Sequence, residues 1–141
     1  MQEVGSVSEA NKSIFRRFVE EVVGRGDLGA VDELLGEGFV EHGALLPDLP
    51  TGREGAKRQY ALLHAAFPDL EVSLEDTLAE GDRVAGRSVW RGTRNGSVGT
   101  GADLNIHRLK IVRIQKGRIV EHWGDATAPG LLQASPPKPG E

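Results

Sequence analysis

The chain has 141 residues, which is enough for one compact core and short for two. It contains no cysteine, which excludes disulfides, thiol nucleophiles and thiolate metal sites. No apolar run approaches the roughly 20 residues of a membrane span, and the net charge of −4 comes from interspersed acidic and basic residues, which argues against membranes and nucleic acids as partners. The first residues lack the pattern of a signal peptide, so we expect a cytoplasmic protein. We expect one domain over residues 1–133 and a flexible, proline-rich tail over residues 134–141.

Three amphipathic helices are predicted in the first half of the chain. In the first of them, apolar residues recur every three or four positions: Ile14, Phe15, Phe18, Val19, Val22 and Val23. Ser6 with Glu9, and Thr51 with Glu54, have the spacing of a capping box and predict the starts of the first and third helices. Asp27 can cap the shorter second helix. Glycine or proline residues predict the three helix ends: Gly24, Gly36 and Pro68.

Beyond residue 68 the apolar residues alternate with polar ones, which is typical of strands with one buried face. A short extended segment is predicted before the third helix and four strands after it: 39–42, then 70–75, 84–91, 104–114 and 119–125. The last three are expected to pair consecutively. The apolar residues of the strand 104–114 change parity near His107 or Arg108, which predicts a β-bulge or a sharp bend there. Helices placed before a bent antiparallel sheet predict an α+β domain whose helices cover one concave face and whose sheet encloses a pocket.

Three segments carry a family resemblance: NKSIFRRFVEEVVGRGDLGAVDELLGEGFVEH, GAKRQYALLHAAFPDLEVSLEDTLAEGDRVAGR and GRIVEHWGDATAPGLLQ. In this order they resemble the SnoaL-like polyketide cyclase family, within the cone-shaped superfamily of nuclear transport factor two, over about residues 10–133. The resemblance implies a cone-shaped, curved mixed or antiparallel β-sheet wrapped around a pocket that three helices from the N-terminal half cover. It also implies a homodimer built on the sheet. It leaves the reaction open, because the superfamily includes cyclases, isomerases, hydrolases, dehydratases and non-catalytic binding domains.

The resemblance also implies a catalytic pair, and here the chain departs from the family pattern. Such cyclases use an Asp on the last strand, two residues beyond the His of the EHW motif, together with a His on the preceding strand. With His122 matched to the His of the motif, the two positions hold Gly124 and Lys110. The departure argues against the intramolecular aldol mechanism of those cyclases. Asp125 lies one residue farther along and points inward only if a bulge turns the strand.

Four residues are candidates for catalysis. His122 shares a strand face with Gly124, and its imidazole is either a general acid or base near neutral pH or a structural group in the pocket wall. Lys110 is either a pocket residue that transfers a proton, forms an imine or stabilises an enolate, or an exposed lysine. The resemblance places His42 at the pocket mouth, where it is either catalytic or structural. Asp125 is the fourth candidate, as an alternative base.

Five further residues are candidates for substrate binding: Phe18, Tyr60, Arg87, Trp90 and Trp123. Tyr60 belongs to a helix stripe, so packing with a hydroxyl that reaches the cavity is favoured over proton donation. Arg87 either holds an anionic substrate or forms a structural salt bridge. Trp90 and Trp123 are either pocket walls or anchors of a dimer interface. Trp123 has the opposite strand parity to His122, which favours the interface.

No cofactor and no metal are predicted. The histidines lack the spacing of zinc ligands, and the glycine-rich segment 92–101 lacks the Lys and Ser or Thr that end a phosphate-binding loop. We therefore expect a small-molecule enzyme, a polyketide or secondary-metabolite cyclase or isomerase that uses cofactor-free acid and base chemistry on a hydrophobic substrate. Two alternatives stay open: a hydrolase of epoxides or esters with the same fold, and a non-catalytic domain that binds small molecules.

Overall fold

The computed structural model describes residues 2–43, 48–93 and 103–124. Its helices are α1 (Gln2–Arg17), which continues as a π-helical segment (Phe18–Gly24), α2 (Gly29–Leu34) and α3 (Gly52–Ala66). Its strands are β1 (Leu35–Glu41), β2 (Glu71–Glu80), β3 (Arg83–Thr93), β4 (Asp103–Gln115) and β5 (Arg118–Gly124). Across these described ranges, no helix is both long and apolar enough to cross a membrane.

The strands of the described residues form one open, mixed sheet in the order β1-β5-β4-β3-β2. Strands β2 to β5 pair antiparallel in succession, as predicted for the last three, whereas β1 pairs with β5 in parallel. Parallel neighbours need a long connection, and here it runs through α3 and three strands. Three helices packed on a curved mixed sheet confirm the predicted α+β class.

The sheet has an interior face, which packs against the helices, and an outer face. Interior side chains such as Arg108 and His122 are each 1% exposed. Outer side chains such as Leu109 and Ile111 are 56% and 41% exposed. The two faces therefore provide two different environments, one filled with core side chains and one that leaves apolar groups uncovered.

The core lies between α1, α3 and the interior face of the sheet. Helix α1 comes close to β3 because Gly86 has no side chain: a Cβ added there would lie 2.3 Å from Cε2 of Phe15. The largest buried apolar side chains of this core are Phe15, Phe18, Leu35, Tyr60, Leu63, Phe67, Trp90 and Ile119. The apolar stripes predicted for the first and third helices thus form one wall of the core.

Several helix boundaries differ from the predictions. Helix α1 already begins at Gln2, which places Ser6 inside it. Thr51 precedes α3 but makes no side-chain capping bond. Asp27 does cap α2, because its Oδ1 accepts a hydrogen bond from the backbone N–H of Ala30 at 3.3 Å. Gly36 lies two residues beyond the last residue of α2, close to the helix end that it predicted. It lies within β1, where a Cβ would come within 3.3 Å of the Val120 side chain on β5.

The β-bulge predicted near His107 and Arg108 is wrong. Strands β3 and β4 pair without a register shift along their described length. The strand places Arg108 and Lys110 on the interior face and Leu109 and Ile111 on the outer face. The parity of the apolar residues changes because two long cations occupy buried positions, and not because the backbone bends.

Candidate active site

Three polar side chains form a line on the interior face: Glu41 at the end of β1, His122 on β5 and Lys110 on β4. Nδ1 of His122 lies 2.5 Å from Oε2 of Glu41, and Nε2 lies 3.3 Å from Nζ of Lys110. The backbone N–H of Gly43 donates to the same Oε2 of Glu41 at 2.9 Å. We call Glu41, His122 and Lys110 the interior triad.

Strand register explains how these three residues meet. Glu41 and His122 are Cα partners in the parallel pair of β1 and β5. Lys110 is the Cα partner of Gly124 in the antiparallel pair of β4 and β5. Because alternate residues of a strand share a face, His122 and Gly124 both point inward, and Lys110 therefore stands beside His122.

The electrostatics of the triad favour one protonation state. Burial lowers the pKa of His122, and the positive charge of Lys110 lowers it further, against the opposing effect of Glu41. Burial by itself works to raise the pKa of Glu41, but His122, the charge of Lys110 and the N–H of Gly43 prevail, and that pKa lies below its usual value. Both directions fit a carboxylate beside a neutral imidazole at neutral pH. Nδ1–H of His122 then donates to Glu41, and Nε2 accepts from the ammonium of Lys110.

Aromatic side chains surround the triad on the interior face. The ring centroid of Phe18 lies 5.9 Å from that of His122 and 5.9 Å from that of Tyr60. The guanidinium of Arg108 lies over the indole of Trp90, 4.9 Å from the ring centroid. The ammonium of Lys110 lies 5.4 Å from the same centroid. Aromatic faces attract cations, so Trp90 helps to hold both charged groups inside the domain.

Tyr60 brings a phenol into this interior. Its hydroxyl oxygen is buried and has no partner at hydrogen-bond distance and angle in the part of the chain that the structure describes. Burial raises the pKa of Tyr60 far above its usual value and the negative charge of Glu41 adds to this effect, whereas the positive charge of Arg108 and the side chain of Gln59 oppose it. Tyr60 is therefore a neutral phenol that is 1% exposed and lies within the core.

The other candidates lie on the outer face. His42 stacks on Trp123 with ring centroids 4.9 Å apart, and its Nε2 lies 2.9 Å from Oε2 of Glu121. Arg87 donates from Nε to Oδ2 of Asp76 at 2.8 Å, which is the structural salt bridge considered above. The structure thus brings together His122, Lys110, Tyr60, Trp90 and Phe18, and separates them from His42, Arg87 and Trp123.

Asp125 falls outside the described residues. Within the described ranges, no group of three or more His, Asp or Glu side chains is placed to hold a metal ion.

Two cavities border this region. The α3–β1 cavity has a volume of about 250 Å³ and is lined by Phe39, Val40, Glu41, Asp48, Leu49, Pro50, Thr51, Gly52, Gly55, Ala56 and Gln59. The outer groove has a volume of about 410 Å³ and is lined by Asp76, Leu78, Ala85, Gly86, Arg87, Leu109, Lys110, Ile111, Trp123 and Gly124. Glu41 is the member of the triad that reaches the first cavity. His122 lines neither of the two.

The sequence matches the family model for SnoaL-like polyketide cyclases over residues 13–134. The chain belongs to the SnoaL-like polyketide cyclase family. This confirms the predicted resemblance and supports a fold that binds small molecules. A comparison with curated proteins gives no significant match.

Solved structures share the SnoaL-like fold with this chain. IdmH, a candidate polyketide cyclase from Streptomyces antibioticus, is 30% identical, with a TM-score of 0.68 over 87% of this chain and 97% of that chain. A candidate polyketide cyclase from Bacillus cereus is 24% identical, with a TM-score of 0.73 over 88% of this chain and 80% of that chain. AclR, a candidate hydroxylase from Streptomyces galilaeus, is 24% identical, with a TM-score of 0.69 over 89% and 96% of the two chains.

In this chain Gly124 occupies the position that the resemblance assigns to the catalytic Asp, so this position has no side chain. Lys110 and Gly124 stand directly opposite each other on β4 and β5. A Cβ added at Gly124 would lie 3.0 Å from Nη2 of Arg108 and 3.7 Å from Cε1 of His122. The Arg108 guanidinium therefore borders the space that the carboxyl group would enter.

Two interior residues, Glu41 and Arg108, were not among the sequence candidates. Strand alternation contains the signal for both of them. Glu41 has the parity of the buried Phe39 in β1, and Arg108 has the parity of Lys110 in β4. In the string FVEH, His42 is the sequence candidate, but strand alternation places its neighbour Glu41 on the interior face.

Proposed function

We propose that this SnoaL-like protein is a cofactor-free acid–base enzyme that cyclises or isomerises a hydrophobic ketone of polyketide or other secondary metabolism. The observation that carries the proposal is the interior triad, a partly buried carboxylate and a buried imidazole 2.5 Å apart with an ammonium group 3.3 Å from the second ring nitrogen. Buried titratable groups with shifted pKa values cluster at active sites. Membership of a family that acts on small molecules supports the same conclusion.

The triad suits proton abstraction from a carbon next to a carbonyl group. The neutral imidazole of His122 or the carboxylate of Glu41 accepts the proton, and the C–H electron pair becomes part of an enolate. The positive charge of Lys110 and the phenol of Tyr60 lower the energy of that enolate. In an isomerisation the proton returns to another carbon. In a cyclisation the enolate attacks a second carbonyl, and the alkoxide that forms takes the proton back.

The substitution His122→Ala tests the proposal, with His107→Ala as a control at an exposed histidine of β4. Both variants and the wild type are incubated with aromatic polyketones and steroid-like ketones, and both binding and product formation are followed. Loss of the imidazole is expected to lower turnover by about 100-fold or more, as is typical of acid–base groups, with binding retained. Turnover by His122→Ala at the wild-type rate would contradict the proposal.

A second candidate is a non-catalytic protein that binds small molecules. Gly124 and Lys110 favour it, because they stand face to face at the positions that the resemblance assigns to the proton-transferring Asp and His. The same experiment separates the two candidates. Tight binding of a ketone without product, in the wild type as well as in His122→Ala, is the result expected of a binding protein.

We also propose that the outer face forms a homodimer interface. Leu78, Leu109 and Ile111 are 74%, 56% and 41% exposed on this face, beside Trp123 and its stacked His42. Ile111→Glu would place a charge in the centre of this patch and is expected to give a monomer in sedimentation or light-scattering measurements. Leu62→Glu, at an apolar residue of α3 that is 43% exposed, is the matched control and should leave the dimer intact. A wild-type protein that is monomeric at micromolar concentration would contradict the proposal.

A further inference from the structure

The α3–β1 cavity reaches the triad at Glu41 and not at His122. The side chain of Glu41 is 18% exposed, whereas that of His122 is 1% exposed and lines neither cavity. Both ring nitrogens of His122 already have partners within the triad. A ligand in the cavity therefore meets a carboxylate first, with the imidazole behind it.

The two oxygens of Glu41 differ in their contacts. Oε2 accepts hydrogen bonds from Nδ1 of His122 and from the backbone N–H of Gly43. Oε1 has no hydrogen bond to any part of the chain that the structure describes, and the side chain lines the cavity. One oxygen is thus held in place while the other is available to a ligand. A base fixed in this way is positioned before the substrate arrives, which is a requirement for efficient proton transfer.

We propose that the α3–β1 cavity is the substrate site and that Glu41 is the catalytic residue, with His122 as a positioning residue behind it. This inference rests on the proposed acid–base function. Oε1 of Glu41 takes a proton from the carbon next to a carbonyl, and the C–H electron pair becomes the enolate. Glu41 then returns the proton to the rearranged product, so that no other reactant is needed. The first turn of α3, at Thr51 and Gly52, lines the cavity as well, and its partial positive charge favours the developing enolate.

The lining also selects the class of substrate. Glu41 and Asp48 both border the cavity, so a ligand with a carboxylate would be repelled. Phe39, Leu49 and Ala56 supply apolar walls. A cavity of about 150 Å³ accepts benzene, and one of about 250 Å³ therefore accepts one or two rings. The substrate class is an uncharged cyclic ketone, or a larger polyketone that inserts its reacting ring.

The base is tested by the exchange of ketone α-protons for deuterium in D₂O, followed by NMR on neutral one-ring and two-ring ketones. Glu41→Gln is expected to slow exchange by about 100-fold or more. Glu37→Gln, at an exposed glutamate on the same strand, is the control and should exchange at the wild-type rate. His122→Asn keeps a donor for Oε2 of Glu41 and should keep more activity than His122→Ala. Equal loss in both His122 variants would assign proton transfer to the imidazole and overturn the role of Glu41.

The cavity is tested by filling it. Ala56→Leu on α3 and Val40→Phe at the rim are expected to weaken ketone binding by about tenfold or more, whereas Ala61→Leu, on the exposed side of the same helix, should not change it. Val40 is 45% exposed, so its enlargement leaves the core untouched even where Ala56→Leu impairs folding. Unchanged binding in Val40→Phe and in a folded Ala56→Leu would overturn the assignment of the cavity.

The two proposals fail in different ways. Exchange by the wild type that persists in Glu41→Gln would overturn the inference and leave the acid–base function standing. Absence of exchange in the wild type for every ketone would refute the acid–base function on this panel and, with it, the role of Glu41. Weaker binding in Ala56→Leu and Val40→Phe would then still support the cavity as the ligand site.

Discussion

The close approach of α1 to the sheet at Gly86 provides a quantitative test of the packing around the triad. Gly86 is the Cα partner of Lys110. A Cβ in Gly86→Ala would lie 2.3 Å from Cε2 and 2.7 Å from Cζ of Phe15, and 3.2 Å from the carbonyl oxygen of Asp76. Nonbonded carbon atoms prefer a separation of about 3.5–4.0 Å. The fully buried ring of Phe15 would have to move by more than about 1 Å into a close-packed core.

Overpacking of this kind typically costs about 1–3 kcal/mol, and the severity of the contact places Gly86→Ala at the upper end, about 2–3 kcal/mol. With an unfolding entropy of about 2.1 cal/mol/K per residue, a chain of 141 residues has a total of about 0.3 kcal/mol/K. The midpoint of thermal unfolding should therefore fall by about 7–10 °C.

Thermal and urea unfolding followed by circular dichroism measure this change. Gly92→Ala is the matched control on the same strand, because its Cβ would meet its nearest neighbour, Oδ1 of Asp69, at 3.3 Å. Removing a glycine from a strand gains about 0.5–1 kcal/mol, so the control should unfold within about 3 °C of the wild type. A Gly86→Ala midpoint as high as that of the control would show that Phe15 of α1 does not pack against Gly86 as described.

Four further predictions concern the interior face. Folding lowers the pKa of His122, so the unfolded chain takes up the proton first as the pH falls. The midpoint of thermal unfolding should therefore decrease below about pH 6.5, and it should decrease less steeply in His122→Leu. Equal slopes in the two proteins would contradict the neutral imidazole. Folding also lowers the pKa of Glu41, so the unfolded chain takes up a proton at this carboxylate first and the stability of the fold should continue to decrease below about pH 4.5. Tyr60→Phe removes a buried hydroxyl without a partner and should raise the midpoint by about 3 °C, corresponding to about 1 kcal/mol, whereas a fall of that size would show that the hydroxyl is bonded. Gly124→Asp should fold, since the atom its Cβ meets at 3.0 Å is the flexible end of Arg108, and failure to fold would show that the guanidinium is fixed.

The fold was predictable because its signals are local. Periods of three to four residues gave the helices, and alternation gave β2 to β5. The parallel pairing of β1 with β5 has no such signal, because it joins segments that are distant in sequence. Gly36 marked the end of α2 to within two residues, but no local signal indicated that it lies inside β1, where a Cβ would come within 3.3 Å of the Val120 side chain.

The interior triad was only partly predictable. The resemblance identified the positions of His122 and Lys110, and strand parity placed His122 with Gly124. Lysine and arginine are seldom buried, so the change of parity among the apolar residues of β4 predicts a bulge or a bend, whereas it marks two interior cations, Arg108 and Lys110. Glu41 was missed because its role depends on a partner in another strand, and a single sequence does not reveal that partner.

The pairing of β1 with β5 makes the triad one of the most non-local contacts in the molecule. The bond between Glu41 and His122 joins residues 81 positions apart. Closing a loop of that length has an entropic cost that is recovered only when the last strand docks. A chain still emerging from the ribosome therefore has no assembled proton-transfer group until β5 has been synthesised, and a fragment without β1 or β5 has none at all. The chemistry proposed for this protein thus belongs only to the completed fold.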